Sequence, residues 1–117
     1  MSYKVAAASS DGKVINQHFG RSRQFLVFEI KDDGGWDFLE LRENIPPCGA
    51  GEHHDEDMMR TVELLSDCSK VLVSQIGPVA EQALRSRGIT AYAISDFINS
   101  ALDKLVEYDR KLRSRKL

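Results

Sequence analysis

Cysteine is scarce in this chain, and its two cysteines, Cys48 and Cys68, lie far apart with no Cys-x-x-Cys pair. That spacing excludes a zinc knuckle and a thioredoxin-type redox site. In a reducing compartment both would be free thiols. Long hydrophobic runs are missing as well. No stretch approaches the roughly 20 apolar residues that a spanning helix needs, so no membrane partner is expected. Nor does either sign of charge dominate: 16 basic against 18 acidic residues leave a net charge of -2. Such a balance argues against a protein whose main task is coating nucleic acid. The chain also lacks internal repeats and low-complexity linkers.

What is present is ordinary globular material, with 42% hydrophobic and 29% charged residues, which sets disordered and fibrous classes aside. The 117 residues suffice for one hydrophobic core. They are too few for two domains of the usual size of about 100–150 residues, so residues 1–117 are read as a single domain. Met1 to Lys4 leads straight into an apolar strand without a signal-peptide h-region, which sets the expectation of a cytoplasmic protein.

Lys4 to Ala8 reads as a short strand closed by the turn residues Ser9-Ser10-Asp11-Gly12. A polar, non-periodic connection through Asn16 to Arg23 precedes a second strand, Phe25 to Ile30. Asp32-Asp33-Gly34-Gly35 then supplies a turn to a third extended run around Trp36, Phe38 and Leu41, completing a hairpin. Residues 43–52, with two prolines and two glycines around Cys48, suit neither helix nor strand and are read as an exposed loop. Met58, Val62 and Leu65 give a helical stripe, with Met58-Met59 read as core-facing, and Val71 to Val73 a buried strand. Gly77-Pro78 opens the next helix and Gly88 closes it. Ile89 to Ile94 is a further strand. The last helix starts near Ser95-Asp96 and carries Ile98, Leu102, Leu105 and Leu112 on one side. Alternation of strand and helix in the second half implies parallel strands, and the early hairpin adds antiparallel ones. The expected architecture is α/β, a mixed five-stranded sheet flanked by helices.

The segment from Ser10 to Ile30, which contains His18-Phe19-Gly20-Arg21 just before the second strand, resembles the dinitrogenase iron-molybdenum cofactor biosynthesis family, represented by NifX, NafY and the C-terminal domain of NifB. Cys48-Gly49, Leu64-Leu65-Ser66-Asp67-Cys68, Ile76-Gly77 and Leu84-x-x-x-Gly88-Ile89 extend the resemblance over most of the chain. It implies an RNase H-like fold and a non-catalytic carrier of an iron-sulfur or iron-molybdenum type cluster, handling its cargo between cluster donor and acceptor proteins. It also implies that His18, Phe19, Gly20, Arg21, Cys48 and Gly49 border the cofactor. Several relatives carry a cysteine directly after the motif's arginine, whereas this chain has Ser22, so no thiolate is offered there.

The residues themselves bear two readings each. A neutral imidazole at His18 suits iron and other borderline metals, and Gly20 lets backbone approach a bulky ligand. The plainer account is a loop histidine bonded to backbone. Cys48, between Pro47 and Gly49, offers a sulfur for cluster chemistry or is an incidental surface thiol. Cys68 reads as a small core residue. His53 and His54 are secondary metal ligands; the neighbouring Glu52, Asp55, Glu56 and Asp57 are explained by the dipole of the helix they open. Arg21, inside the motif, is read as contacting an anionic ligand, while Lys13, Arg23 and the basic C-terminal residues are read as solvated charge. Two other classes compete. An RNase H-like nuclease or phosphotransfer enzyme needs carboxylates converging on two metals, and the first and fourth strands contain none. A protein-interaction module without metal, forming a homodimer through the hairpin edge, is the third.

Overall fold

The computed structural model describes residues 2–45 and 55–115. Its first strand, β1 (Tyr3–Ala8), is small and apolar at successive positions, so both of its faces can be covered. Val5 and Ala7 face one side, Ala6 and Ala8 the other, each against a separate cluster of buried residues. That continuous apolar pattern marks a central strand. β1 pairs antiparallel with β2 (Gln24–Ile30) and parallel with β4 (Lys70–Val73). Outward from these lie β3 (Trp36–Glu43), antiparallel to β2, and β5 (Thr90–Ala93), parallel to β4. The sheet order is therefore β3-β2-β1-β4-β5, five strands of mixed direction, as expected from the sequence.

Helices α1 (Asp55–Leu64) and α2 (Pro78–Arg85) cover one face and α3 (Ile98–Arg115) the other. Pro78 stands in the first turn of α2, where its missing N–H costs nothing. Gly88, at φ 78°, turns the chain out of α2, and Ile89 N–H donates back to Leu84 O at 3.0 Å. In α1 the stripe Met58, Val62, Leu65 packs inward, but Met59 lies on the solvent side, one position off the stripe, correcting the reading of both methionines as core-facing. Leu112 is likewise exposed, because α3 continues past the buried set that ends near Leu105 and Val106. Asp96 Oδ1 accepts the N–H of Phe97 at 2.7 Å, and α3 begins two residues later than its capping pair suggested.

The edge strand β3 explains a further departure. Phe38, Leu39 and Leu41 are exposed although the sequence is strand-like. Val27 pairs with Glu40 and Phe28 with Phe38, so Leu39 is an unpaired bulge. The bulge brings Phe38 and Leu41 to the same face, beyond the reach of α3, and blunts the free edge together with Asp37, Glu40 and Glu43.

Arg42 ties this edge to the turn before β4. Its guanidinium donates to both carboxylate oxygens of Asp67 at 2.7 and 2.8 Å and to Leu64 O at 2.8 Å. The Arg42 guanidinium holds the Asp67 carboxyl well below the usual carboxylate range, with Lys4 assisting. A depressed carboxylate stabilises the fold above its unfolded value, near pH 3.9, and loses that contribution as the pH falls below it. Urea midpoints of the native chain should therefore drop below about pH 4. Asp67→Asn should lower the midpoint at pH 7 and flatten the acid limb; two curves running parallel from pH 7 to 2.5 would refute the assignment.

Candidate functional site

All four strands other than β2 end at the same margin of the sheet, and β2 starts there. The connections 9–23, 74–77 and 94–97, together with residues 44–45 after β3, therefore lie at the carboxyl ends of the parallel strands, where open α/β sheets place their ligands.

The first of these connections is built from short-range hydrogen bonds. Asp11 Oδ1 accepts the N–H groups of Lys13 at 2.8 Å and Val14 at 3.1 Å, and Gly12, at φ 77°, completes the turn. From there the chain crosses the margin in extended form. Ile98 N–H donates to Lys13 O at 2.8 Å and Ile15 N–H to Asp96 O at 2.9 Å. Farther along, Ser74 N–H donates to Gln17 O at 3.0 Å and Phe19 N–H to Gln75 O at 2.9 Å. Ile15 is buried in the α3-side core and Phe19 in the opposite one, 6.0 Å from the Phe25 ring. The segment is thus pinned into both cores.

Between those anchors the chain makes one 3-10 turn, Phe19–Arg21, preceded by His18 in extended conformation. His18 and Arg21 are exposed, Gly20 is half-buried and Phe19 has no exposed surface. Phe19, expected to border a ligand, is therefore an anchor whose ring faces the core; it holds its neighbours out. Arg21, Arg23 and Lys13 are exposed and their side chains make no hydrogen bond or ion pair with the described residues. Ser22 is fully buried and its hydroxyl donates to Gln24 O at 2.7 Å. The position following Arg21 faces inward here.

Cys48, Gly49, His53 and His54 lie outside the described residues. The stem leading to them is well placed: Asn44, directly after β3, donates its N–H to Arg23 O at 2.8 Å and its side-chain amide to Ser22 O at 3.0 Å. The chain toward Cys48 thus leaves the sheet beside the end of the His18 turn. Cys68 sits in the core, and burial pushes its thiol up to about 12, so almost no thiolate exists at neutral pH. Among the described residues there is no group of three or more His, Cys, Asp or Glu that could hold a metal ion. Sequence reasoning missed Asn44 and Gln75, both polar residues in loops, because their partners are distant in sequence.

A family model described as dinitrogenase iron-molybdenum cofactor matches residues 1–108. The chain belongs to this family. Among curated relatives, the FeMo cofactor biosynthesis protein NifB of Frankia alni is 37% identical over 105 residues, which is 86% of this chain and 20% of that protein. Protein NifY of Klebsiella pneumoniae is 33% identical over 107 residues, covering 84% of this chain and 44% of NifY. The chain thus spans about a fifth to a half of the length of these relatives. A NifB-type protein from Thermotoga has the same fold, with a TM-score of 0.62, 20% sequence identity and coverage of 90% of this chain and 88% of that one. No helix among the described residues is long and apolar enough to cross a membrane.

Proposed function

We propose that this member of the dinitrogenase iron-molybdenum cofactor family is a non-catalytic cytoplasmic carrier of an iron-sulfur or iron-molybdenum type cluster. It receives the cluster from a donor protein and passes it to an acceptor during nitrogenase cofactor biosynthesis. The observation that carries the reading is an exposed imidazole, His18, on a turn fixed from both cores at the carboxyl ends of the strands, in a chain matched by that family's model. His18 supplies one ligand and Cys48 a thiolate, with Gly20 and Gly49 giving backbone clearance and His53 or His54 as auxiliary ligands. Arg21, exposed and without a side-chain partner among the described residues, balances an anionic cargo. Few ligands suit such a task, since a closed four-ligand site traps its metal whereas incomplete ligation allows transfer.

The strand order, with β2 antiparallel next to a parallel core of β1, β4 and β5, supports an RNase H-like classification. The hydrolytic chemistry of such folds is less well supported, because the sequences of β1 and β4 contain no carboxylate. As for a homodimer, the bulged and charged edge of β3 works against strand pairing with a second copy.

Anaerobic loading of the purified chain with iron, sulfide and molybdate, followed by metal analysis and absorption spectra, tests the proposal. His18→Ala should retain several-fold less metal, and retention equal to that of the parent chain would count decisively against it. Cys48→Ser should impair loading more than Cys68→Ser, since the Cys68 thiol is buried and protonated. Equal losses would mean that the wrong sulfur has been assigned.

A further inference from the structure

The 3-10 turn that presents His18 is weakly held by its own backbone. Arg21 N–H donates to His18 O at 3.0 Å, but Ser22 N lies 3.5 Å from Phe19 O, the outer limit of a hydrogen bond. Phe19 secures the start of the turn. Its end is secured from outside, by Asn44.

Asn44 uses its backbone N–H and both ends of its side-chain amide. The N–H donates to Arg23 O at 2.8 Å, Nδ2 donates to Ser22 O at 3.0 Å, and Oδ1 accepts from the buried Thr61 hydroxyl at 3.3 Å. Past Ser22 the chain of bonds continues from the Ser22 hydroxyl to Gln24 O, and from Gln24 Nε2 to Ser9 O at 2.9 Å. One amide therefore joins α1, the exit of β3, the end of the His18 turn and, through Gln24, the exit of β1. Amide hydrogen bonds to partly buried carbonyls resist rearrangement because breaking them strands a desolvated acceptor.

We infer that Asn44 is a positioning residue for the His18 turn, fixing the orientation in which His18 and Arg21 are presented. Ser22 O fixes which way the amide points, since a carbonyl can only accept and so takes the Nδ2 end, which leaves Oδ1 to the Thr61 hydroxyl. Asn44→Asp is the informative variant: it preserves size and the acceptor for Thr61, but removes the donor to Ser22 O and sets a carboxylate against that carbonyl.

Hydrogen exchange followed amide by amide tests this without any cargo. In Asn44→Asp the Arg21 and Ser22 amides should exchange about tenfold faster, with Val71 to Val73 changing by less than about twofold. Leu105→Ala, which damages the opposite core, should give the reverse pattern, faster exchange in the core and little change in the turn. Exchange at the turn rising no more than in the core of Asn44→Asp would overturn the inference. A second readout rests on the carrier reading: protein loaded with iron, sulfide and molybdate should release iron to a chelator several-fold faster in Asn44→Asp. Release unchanged from a loaded chain would overturn it too. A parent chain that takes up no metal would instead sink the carrier reading, leaving the exchange pattern to decide the role of Asn44.

Discussion

Replacing Phe19 with alanine is expected to cost about 3–5 kcal/mol, the usual range for emptying a fully buried aromatic site. The ring has no exposed surface and packs against Phe25, within a core formed by β1, β2, β4 and the two helices on that face. The expected loss is large because no neighbour can collapse into the space. Phe25, Val27, Val71 and Val73 are fixed by their sheet register, so a cavity remains. Against a total stability of about 5–15 kcal/mol the loss lowers the melting midpoint by on the order of 10–20 °C. Phe19→Leu, which keeps most of the volume, should lose much less. Chemical denaturation at fixed pH measures both. A cost below about 1 kcal/mol for Phe19→Ala would mean that the ring is not the anchor of the turn.

Asp109→Ala is expected to cost about 2–4 kcal/mol through a different mechanism. Lys70 and Asp109 form an ion pair at 2.7 Å, with each side chain only 16% exposed. Tyr3 donates its hydroxyl to the same carboxylate. The Lys70 ammonium also lies 5.2 Å from the centre of the Tyr3 ring and 5.7 Å from that of Tyr92. Removing the carboxylate leaves a largely desolvated cation against the Tyr3 and Tyr92 rings. The double variant Lys70→Met, Asp109→Leu removes both charges and should recover most of the loss, since an apolar pair avoids the desolvation cost. If the double variant proves as unstable as the sum of the two single changes, the two groups are not coupled and this account of the pair is wrong.

The order and type of the five strands and of α1, α2 and α3 were legible because the signals were local. Lys4 through Ala8 announced a short strand, Pro78 and Gly88 bracketed α2, and Ile98, Leu102 and Leu105 traced the inner side of α3. What could not be read depended on partners far away in sequence. Phe19 stood alone in a polar run, and only the fold shows that its ring meets Phe25. The exposure of Phe38 and Leu41 follows from the position of β3 at the edge and from the bulge at Leu39, neither of which composition encodes. Within the candidate site, His18 and Arg21 were identified from a resemblance, and the structure places both exposed at the carboxyl margin. Asn44 had no signal beyond its residue type, because Ser22, Arg23 and Thr61 reach it only once the sheet is formed.

The Lys70, Asp109 and Tyr3 cluster occupies the amino ends of β1 and β4, at the other pole of the sheet from His18. Changes at the two poles share no partner, so their free energies should simply add. The exposed positions of the turn, His18 and Arg21, can be changed without disturbing the melting temperature that Phe19 and the far pole set.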